Sequence, residues 1–429
     1  MTTSSLLRPA KRAFVWVWLP GAVDPVVAGR IDRVGSVHQF TYGRSYLGNP
    51  AAIALFLPDL PLKPGLHVPP APHLIAPVLR DGAPDLWGRR VIVNRLTGAR
   101  GAAIDVDGLD ELTYMLESGS DRTGALDFQA SATDYTPRLS SEADLATLLA
   151  AADLIERGTS LPFELEEAIR HGTSIGGARP KAQITDRDRK FIAKFSSSGD
   201  QHAVVKGEYV ALRLAAEVGL RAARAELVAV AGKDVLLVER FDREIGPRGW
   251  TRRAMVSGLT ILGLSEQEAR YASYEDLALR LRHAGTDPAA TLRELFGRMC
   301  FNILIGNTDD HARNHAAFWD GVRMTLTPAY DLDPRPRFSH EANQAMAVRG
   351  QSRQSRLALA IEAAPSFLLS VAEAETIAEN QIEAIRDLYP QIARDAALSP
   401  IDDDMIRSRA LLQPYAFDGL KGRLSVHTP

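Results

Sequence analysis

One cysteine, Cys300, stands in 429 residues. A lone thiol can neither close an intramolecular disulfide nor build a Cys-rich zinc site, and such usage suits a reducing cytoplasm. Its setting, FGRMCFNILIG, is apolar, so it reads as a buried spectator. Long hydrophobic runs are missing too. The strongest, residues 14–19 (FVWVWL), follows Arg8, Lys11 and Arg12 and stops at Pro20-Gly21. It is too short for a membrane span or a signal-peptide core, and its aromatic and β-branched content predicts a buried strand. Charge of one sign is also absent: 50 Lys and Arg against 53 Asp and Glu leave a net charge of −3. That excludes a global attraction to DNA or to an anionic membrane, though not a local basic patch. There is no internal repeat and no long low-complexity tract. What remains, 45% hydrophobic and 24% charged residues, is the composition of an ordinary globular protein, expected in the cytoplasm. The length predicts two or three structural units.

Residues 14–60 carry short strand-like runs between Pro and Gly turns, and PLKPGLHVPPAPH (61–73) is an extended connection. From Ala76 to about Leu126 the pattern is helical. QASATDYTPRLSSE, ending near Glu142, is small and polar and reads as a linker, and ADLATLLAAADLIERG is a helix stopped by Gly158. Strand signals return between about 172 and 245 in RKFIAKFS and DVLLVERFD. Between them KGEYVALRLAAEVGL is an amphipathic helix with Tyr209, Leu212, Ala216 and Leu220 on its apolar face. After residue 255 the pattern is almost entirely helical. The expected division is 1–130, 140–245 and 246–429, with a strand-rich and a helical lobe facing one another and a nucleotide in the cleft.

Residues 306–314 read GNTDDHARN, and Ala329-Tyr330-Asp331 follows. An Asp, an Asn five residues on and a second Asp a hairpin later match the needs of kinase-type phosphoryl transfer. Asp309 would accept the proton of the attacking hydroxyl, while Asn314 and Asp331 would hold Mg²⁺. The spacing alone is common, so its weight depends on the rest of a nucleotide site. Upstream, Ser174-Ile175-Gly176-Gly177-Ala178-Arg179-Pro180-Lys181 is a small-residue loop ending in a cation. Paired glycines let backbone N–H groups approach phosphate oxygens. It lacks the GK[ST] ending of a Walker A loop and, alone, reads as a plain turn. Lys194 lies in the alternating strand FIAKF, where its ammonium could reach the α- and β-phosphates. Glu208, in the next helix, is the natural partner, ahead of Glu217. Glu239-Arg240-Phe241 ends an apolar strand whose backbone could meet an adenine edge.

Two other chemistries compete. His311 and His315, four apart beside Asp310, could share a metal if they lay on one helix, the pattern of a metal-dependent hydrolase. Against it, Gly306, Asn307 and Thr308 predict a loop, and no further His cluster completes the ligand set. Arg240, Arg243 and the run GPRGWTRR (246–253), with Trp250 among its cations, could follow a phosphate backbone. Such runs are more often solvated loops.

In this order, SIGGARPK, KFIAKF, KGEYVALRLAAEVGL, LLVERFDR, IGNTDDHARN and LTPAYDLDP resemble the HipA family of bacterial serine/threonine kinases, toxins of type II toxin–antitoxin modules. DGAPDLWGRRVI and SGSDRTGAL extend the likeness toward the N-terminus. The resemblance implies an α+β, two-lobed protein-kinase-like fold with an extra N-terminal subdomain and a mostly helical C-terminal lobe. It implies ATP and Mg²⁺ as cofactors, with Asp309 catalytic and Asn314 and Asp331 as metal ligands. It places Gly176, Gly177, Ala178, Arg179, Lys181, Lys194, Glu239, Arg240, Phe241 and His311 around ATP, and makes Ser174 an inhibitory autophosphorylation site. Its implied partners are a HipB-like helix-turn-helix antitoxin, operator DNA through that complex, and a substrate of the aminoacyl-tRNA synthetase class, glutamyl-tRNA synthetase in the best-known case. Two departures stand out: Arg313 replaces a usual Lys, and ARPK lacks an acidic or polar residue near Pro180. The alternative within this family is a non-catalytic corepressor that acts only by docking on an antitoxin.

Overall fold

A computed structural model describes residues 10–97, 105–139, 144–157, 179–197 and 199–421, with 159, 162, 165, 424 and 426. The chain forms two compact units. The first holds Met1–Ser198, Val228–Val256 and Trp319–Gly321, and the second Gly199–Leu227, Ser257–Phe318 and Val322–Pro429.

The first unit contains a five-stranded sheet in the order β4-β3-β2-β1-β5. Its strands are β1 (Arg12–Val17), β2 (Val26–Val34), β3 (Val37–Tyr42), β4 (Leu66–His67) and β5 (Leu126–Gln129). β1 lies between β2 and β5 and buries Ala13, Val15 and Val17, so the apolar N-terminal run is indeed a strand. Helices α1 (Arg44–Leu47), α2 (Pro77–Asp81), α3 (Leu86–Thr97), α4 (Glu111–Glu117) and α5 (Leu145–Glu156) belong to the same unit. Asp110 and Asp144 cap α4 and α5 by accepting backbone N–H bonds, 2.7 Å long at Thr147. The polar stretch 131–139, expected to be a linker, is instead fastened down. Arg138 donates to Phe128 O at 2.8 Å and to Asp127 at 3.0 Å, and Trp16 Nε1 donates to Ser131 O at 3.0 Å. Its small residues serve local turns, where Ser131 accepts from the N–H groups of Thr133 and Asp134.

A four-stranded sheet, β6-β7-β9-β8, follows from β6 (Lys181–Asp186), β7 (Arg189–Phe195), β8 (Ala225–Val230) and β9 (Lys233–Glu239). Strand period puts alternate residues on one face. Ala182, Phe191, Ala193, Phe195, Val235 and Leu237 pack there against Trp87 of α3 and Leu148, Leu149 and Ile155 of α5. The other face carries Lys181, Lys194 and Leu236 in cross-strand register. A two-stranded hairpin, β10 (Arg243–Gly246) with β11 (Gly249–Arg252), completes this unit's sheets.

The second unit is built on helices: α6 (Val204–Glu217), α7 (Gly258–Leu262), α8 (Tyr274–Ala284), α9 (Pro288–Leu304), α10 (Leu357–Ala363), α11 (Val371–Asp395) and α12 (Pro400–Arg409). α9 is the core helix. It starts at the Asp287 cap with Pro288 in its first turn and buries every residue from Leu295 to Leu304. Each large apolar side chain buried this way contributes roughly 1.5–3 kcal/mol. Gly297 leaves room for Leu220, just beyond α6, since a Cβ there would lie 2.9 Å from that side chain, and Gln381 of α11 donates to the Gly297 carbonyl at 2.9 Å. The expectation of an almost wholly helical chain after residue 255 needs correction. β12 (Met255–Ser257), β13 (Ala316–Trp319) and β14 (Met324–Leu326) are strands, and 327–356 contains no helix. AAFW in β13 is buried throughout and too short for a helix. The stretch beyond it is held by isolated bridges such as Ala222 with Ala329 and Ser273 with Ala347.

Candidate active site

The chain leaves α9 through a turn that places two adjacent aspartates in opposite environments. Gly306 takes φ +69°, and a Cβ there would fall 2.6 Å from Ala410 O, so only glycine fits without movement. Asn307 then folds back: its N–H donates to Asn302 O and its Nδ2 to Asn302 Oδ1, both at 2.9 Å. Asp310 points inward and is 2% exposed. It accepts from Asn302 Nδ2 at 2.8 Å, from His315 Nε2 at 2.9 Å and from the Tyr274 hydroxyl. Burial, then the Asp310 carboxylate, pushes that phenol well above its ordinary pKa, which keeps it protonated and donating. Asp309 points outward with its side chain 46% exposed, paired with Arg335 at 2.7 Å. Arg335 also reaches Asp333 at 3.2 Å. The inner carboxylate anchors the turn and the outer one is presented to solvent.

Asn314 ends a single 3₁₀ turn, Ala312–Asn314, and is buried. Its Nδ2 donates to Asp309 O at 3.4 Å, so its carboxamide oxygen is the atom it could offer to a cation. Tyr330 OH donates to Arg313 O at 2.7 Å, tying the segment before Asp331 to the Asn314 turn. Ala329 is clamped from both sides, its N–H to Arg221 O at 2.6 Å and its O to Ala223 N–H at 2.8 Å. Asp331 itself adopts φ +58°, a conformation costing a non-glycine residue of order 1–3 kcal/mol. Two oxygen-donor side chains of this kind suit Mg²⁺, a hard cation bound through few protein ligands. Arg313, the departure from Lys, has its guanidinium on Glu266.

In the first unit Lys181 and Lys194 stand directly opposite each other across β6 and β7, so both side chains leave the same face. Lys181 is buried and Lys194 half-buried. Trp87 Nε1 donates to Lys181 O at 3.2 Å, fixing the first residue of β6. Arg179 precedes them. Ser174, Gly176, Gly177 and Ala178 lie outside the described residues. Glu208 is buried in the second turn of α6, in the second unit.

At the end of β9, the Arg240 N–H donates to Lys190 O at 2.7 Å, so that N–H is already spent within the sheet. The Arg240 side chain is buried: it meets Asp242 at 2.8 Å, Asp121 at 3.1 Å and Arg122 O at 2.7 Å. Arg243 joins the same network through Asp121 and Asp242, both at 2.9 Å. Burial alone would raise the Asp242 carboxyl, but the two guanidiniums outweigh it and hold it at about 2. The reading of Arg240 and Arg243 as cations that follow a nucleic-acid backbone is therefore corrected, because both are spent inside the first unit. The shared-helix arrangement of His311 and His315 is corrected as well. His311 caps the 3₁₀ turn, whereas His315 lies beyond it, buried on Asp310. No cluster of three or more metal-ligating His, Cys, Asp or Glu occurs among the described residues. Cys300 is buried, which pushes its thiol pKa up, as a spectator's would be.

Sequence reading passed over Tyr274, Asn302 and Arg335 and used Asn307 only as a loop signal. The spacing of Asn302 and Asn307 around a glycine turn was the one available signal; the others depend on contacts distant in the chain.

Comparison with known proteins agrees with this α+β architecture. Residues 173–389, just over half the chain, match the family of the HipA-like C-terminal domain, and the chain belongs to the HipA family. It is 27% identical over 205 residues to the serine/threonine-protein kinase toxin HipA of Shewanella oneidensis, covering 42% of this chain and 46% of that protein. The chain spans about half the length of the curated relatives it matches. Its fold is similar to a chain in the complex of Shewanella oneidensis HipA, HipB and operator DNA, with TM-score 0.65 and 19% identity over 92% of this chain and 94% of that one. No described helix is long and apolar enough to cross a membrane.

Proposed function

We propose that this protein is an ATP-dependent serine/threonine kinase and the toxin of a toxin–antitoxin pair, working in the cytoplasm. The observation that carries the reading is the outward Asp309 carboxylate on a turn anchored by Asp310, with the Asn314 turn and the strained Asp331 tied to it by hydrogen bonds. Asp309 accepts the proton of a substrate serine as its oxygen bonds to the γ-phosphorus of ATP. The bond from that phosphorus to the bridging oxygen breaks and ADP leaves. Asn314 and Asp331 would hold Mg²⁺, which neutralises charge on the phosphates when bound. Lys194 and Lys181 would meet phosphate oxygens, with Gly176 to Arg179 covering them, Glu208 orienting Lys194, His311 lying beside the nucleotide, and Glu239 to Phe241 lining the adenine.

The likeness to the HipA toxin kinase and to a chain of the HipA, HipB and operator DNA complex supports the finer reading of a HipB-like antitoxin partner and of operator DNA reached through that partner. The substrate we propose is a serine of an aminoacyl-tRNA synthetase, whose loss of activity stalls translation and leads to growth arrest and persistence. Ser174 is proposed as an autophosphorylated brake: a phosphate there adds roughly −1.5 to −2 charge beside the site that must hold ATP's own phosphates. Purified protein with labelled ATP and Mg²⁺ tests the kinase reading. Label should enter the protein itself or a protein of a cell extract, and folded protein that labels neither is a non-catalytic corepressor. Intact-mass spectrometry of the wild type and of Asp309→Asn tests Ser174, because its phosphate should be present only in the active form.

A further inference from the structure

The GPRGWTRR run, unused by the proposed site, folds as the β10–β11 hairpin and walls a cavity of about 290 Å³ in the first unit. Two indoles line it. Trp18 is covered by the Arg252 guanidinium, 3.4 Å above the ring centroid, and Trp250 faces the Lys190 ammonium at 5.3 Å. Arg243 and Asp121 form its floor, and Arg248 and Asp24 lie exposed at its rim.

Cations outnumber the carboxylates that serve them. Asp121 is shared by Lys190 at 2.6 Å, Arg243 at 2.9 Å and Arg240 at 3.1 Å, and Asp242 is shared by Arg240 and Arg243. Arg252 spends one nitrogen on Ser120 O at 2.8 Å, and Arg248 has no partner among the described residues. Burial lowers the pKa of Lys190, Arg243 and Arg252, and repulsion from Arg240 adds to it in each case. An anion in the cavity would relieve that repulsion. Trp18 is already covered by Arg252, but the half-buried Trp250 leaves aromatic surface for a planar group beside the anion. Asp24 offers an acceptor for a hydroxyl or amine. The volume sits near the lower bound of small-molecule pockets, which favours one nucleotide over a strand laid through it.

We propose that this pocket binds a nucleoside monophosphate, free or as the terminal nucleotide of a strand, with its phosphate met by Arg248, Lys190 and Arg252 and its base against Trp250. The proposal does not depend on the kinase reading. Its test is titration of the full chain with GMP, followed by calorimetry, in the wild type and in Arg248→Ala and Trp250→Ala, with circular dichroism confirming the fold of each. Arg248→Glu, at an exposed rim position, supplies a charge-reversed variant should Trp250→Ala misfold. Saturable binding that weakens about tenfold or more in each variant is expected, since stacking and a charge-assisted contact are each worth about that factor. Absence of saturable GMP binding, or binding unchanged in the variants, overturns the proposal. Inorganic phosphate binding as tightly as GMP does so too, because Trp250 would then contribute nothing. A short oligoribonucleotide ending in 5′-GMP separates the two sources. Tighter binding than GMP identifies a strand end, and weaker binding a free nucleotide, and both keep the assignment.

Discussion

Asp309 and Asp310 are neighbours in sequence, yet they should respond to substitution in opposite ways. Asp310→Ala removes the acceptor for three buried donors: the Tyr274 hydroxyl, Asn302 Nδ2 and His315 Nε2. Each donor left unsatisfied costs about 1–3 kcal/mol, and with some relaxation the loss should reach about 3–5 kcal/mol. Tyr274→Phe removes one bond and should cost only about 1 kcal/mol. With a urea m-value of about 2 kcal/mol/M, Asp310→Ala lowers the midpoint by about 1.5–2.5 M and Tyr274→Phe by about 0.5 M. Asp309→Asn behaves differently. Its side chain is 46% exposed and its partner Arg335 equally so, and such surface pairs are worth about 0–1 kcal/mol. Its midpoint should stay near wild type while phosphoryl transfer, on the kinase reading, falls about 10²- to 10⁴-fold. Urea unfolding followed by circular dichroism, beside initial rates of phosphate incorporation, measures both quantities on the same preparations. A wild-type midpoint for Asp310→Ala, or a loss in Asp309→Asn as large as in Asp310→Ala, would refute the division into an anchoring and a reacting carboxylate.

Three further outcomes follow from the same contacts. Gly306→Ala forces a Cβ to within 2.6 Å of Ala410 O at φ +69°, so thermal unfolding should show a loss of about 1–3 kcal/mol, and an unchanged midpoint would mean the turn relaxes freely. Asp242 sits at about 2 when folded against an ordinary 3.8, so its contribution of about 2 kcal/mol is present above pH 4 and lost as pH falls toward 2. Asp242→Asn should flatten the wild type's fall in urea midpoint over that window. Asp331→Ala should weaken Mg²⁺-dependent nucleotide binding in calorimetry, whereas Asp309→Asn should leave it near wild type.

The parts of this molecule legible in the sequence were those set by local rules. α6 follows from its amphipathic period, and β1 and β9 from short continuous apolar runs rich in aromatic or β-branched residues, and all three lie close to where the sequence puts them. The Asp309 turn follows from Gly306 and the short polar residues around it, and the outcome agrees because only glycine fits beside Ala410. β13 escaped notice for the converse reason. AAFW is four residues of continuous burial, and periodicity cannot separate so short a run from a helix segment.

The same distinction explains why the charged residues were misread. Arg240 and Arg243 follow a strand in a basic stretch, and in one dimension a basic stretch is a solvated or anion-binding face. Their partner Asp121 lies about 120 residues away, in a segment whose own reading gave no hint of a buried carboxylate. Burial of a guanidinium is tolerable only with such a partner, so the pairing decides where the charge can go. The excess left after Asp121 and Asp242 are shared does not vanish. It is pushed to Lys190, Arg252 and Arg248, around the cavity beside Trp250. A basic run can thus be wrong as a nucleic-acid track at the residues that suggested it and still yield an anion site one hairpin further on. Local composition counts charges correctly but assigns them to positions before the fold has paired them.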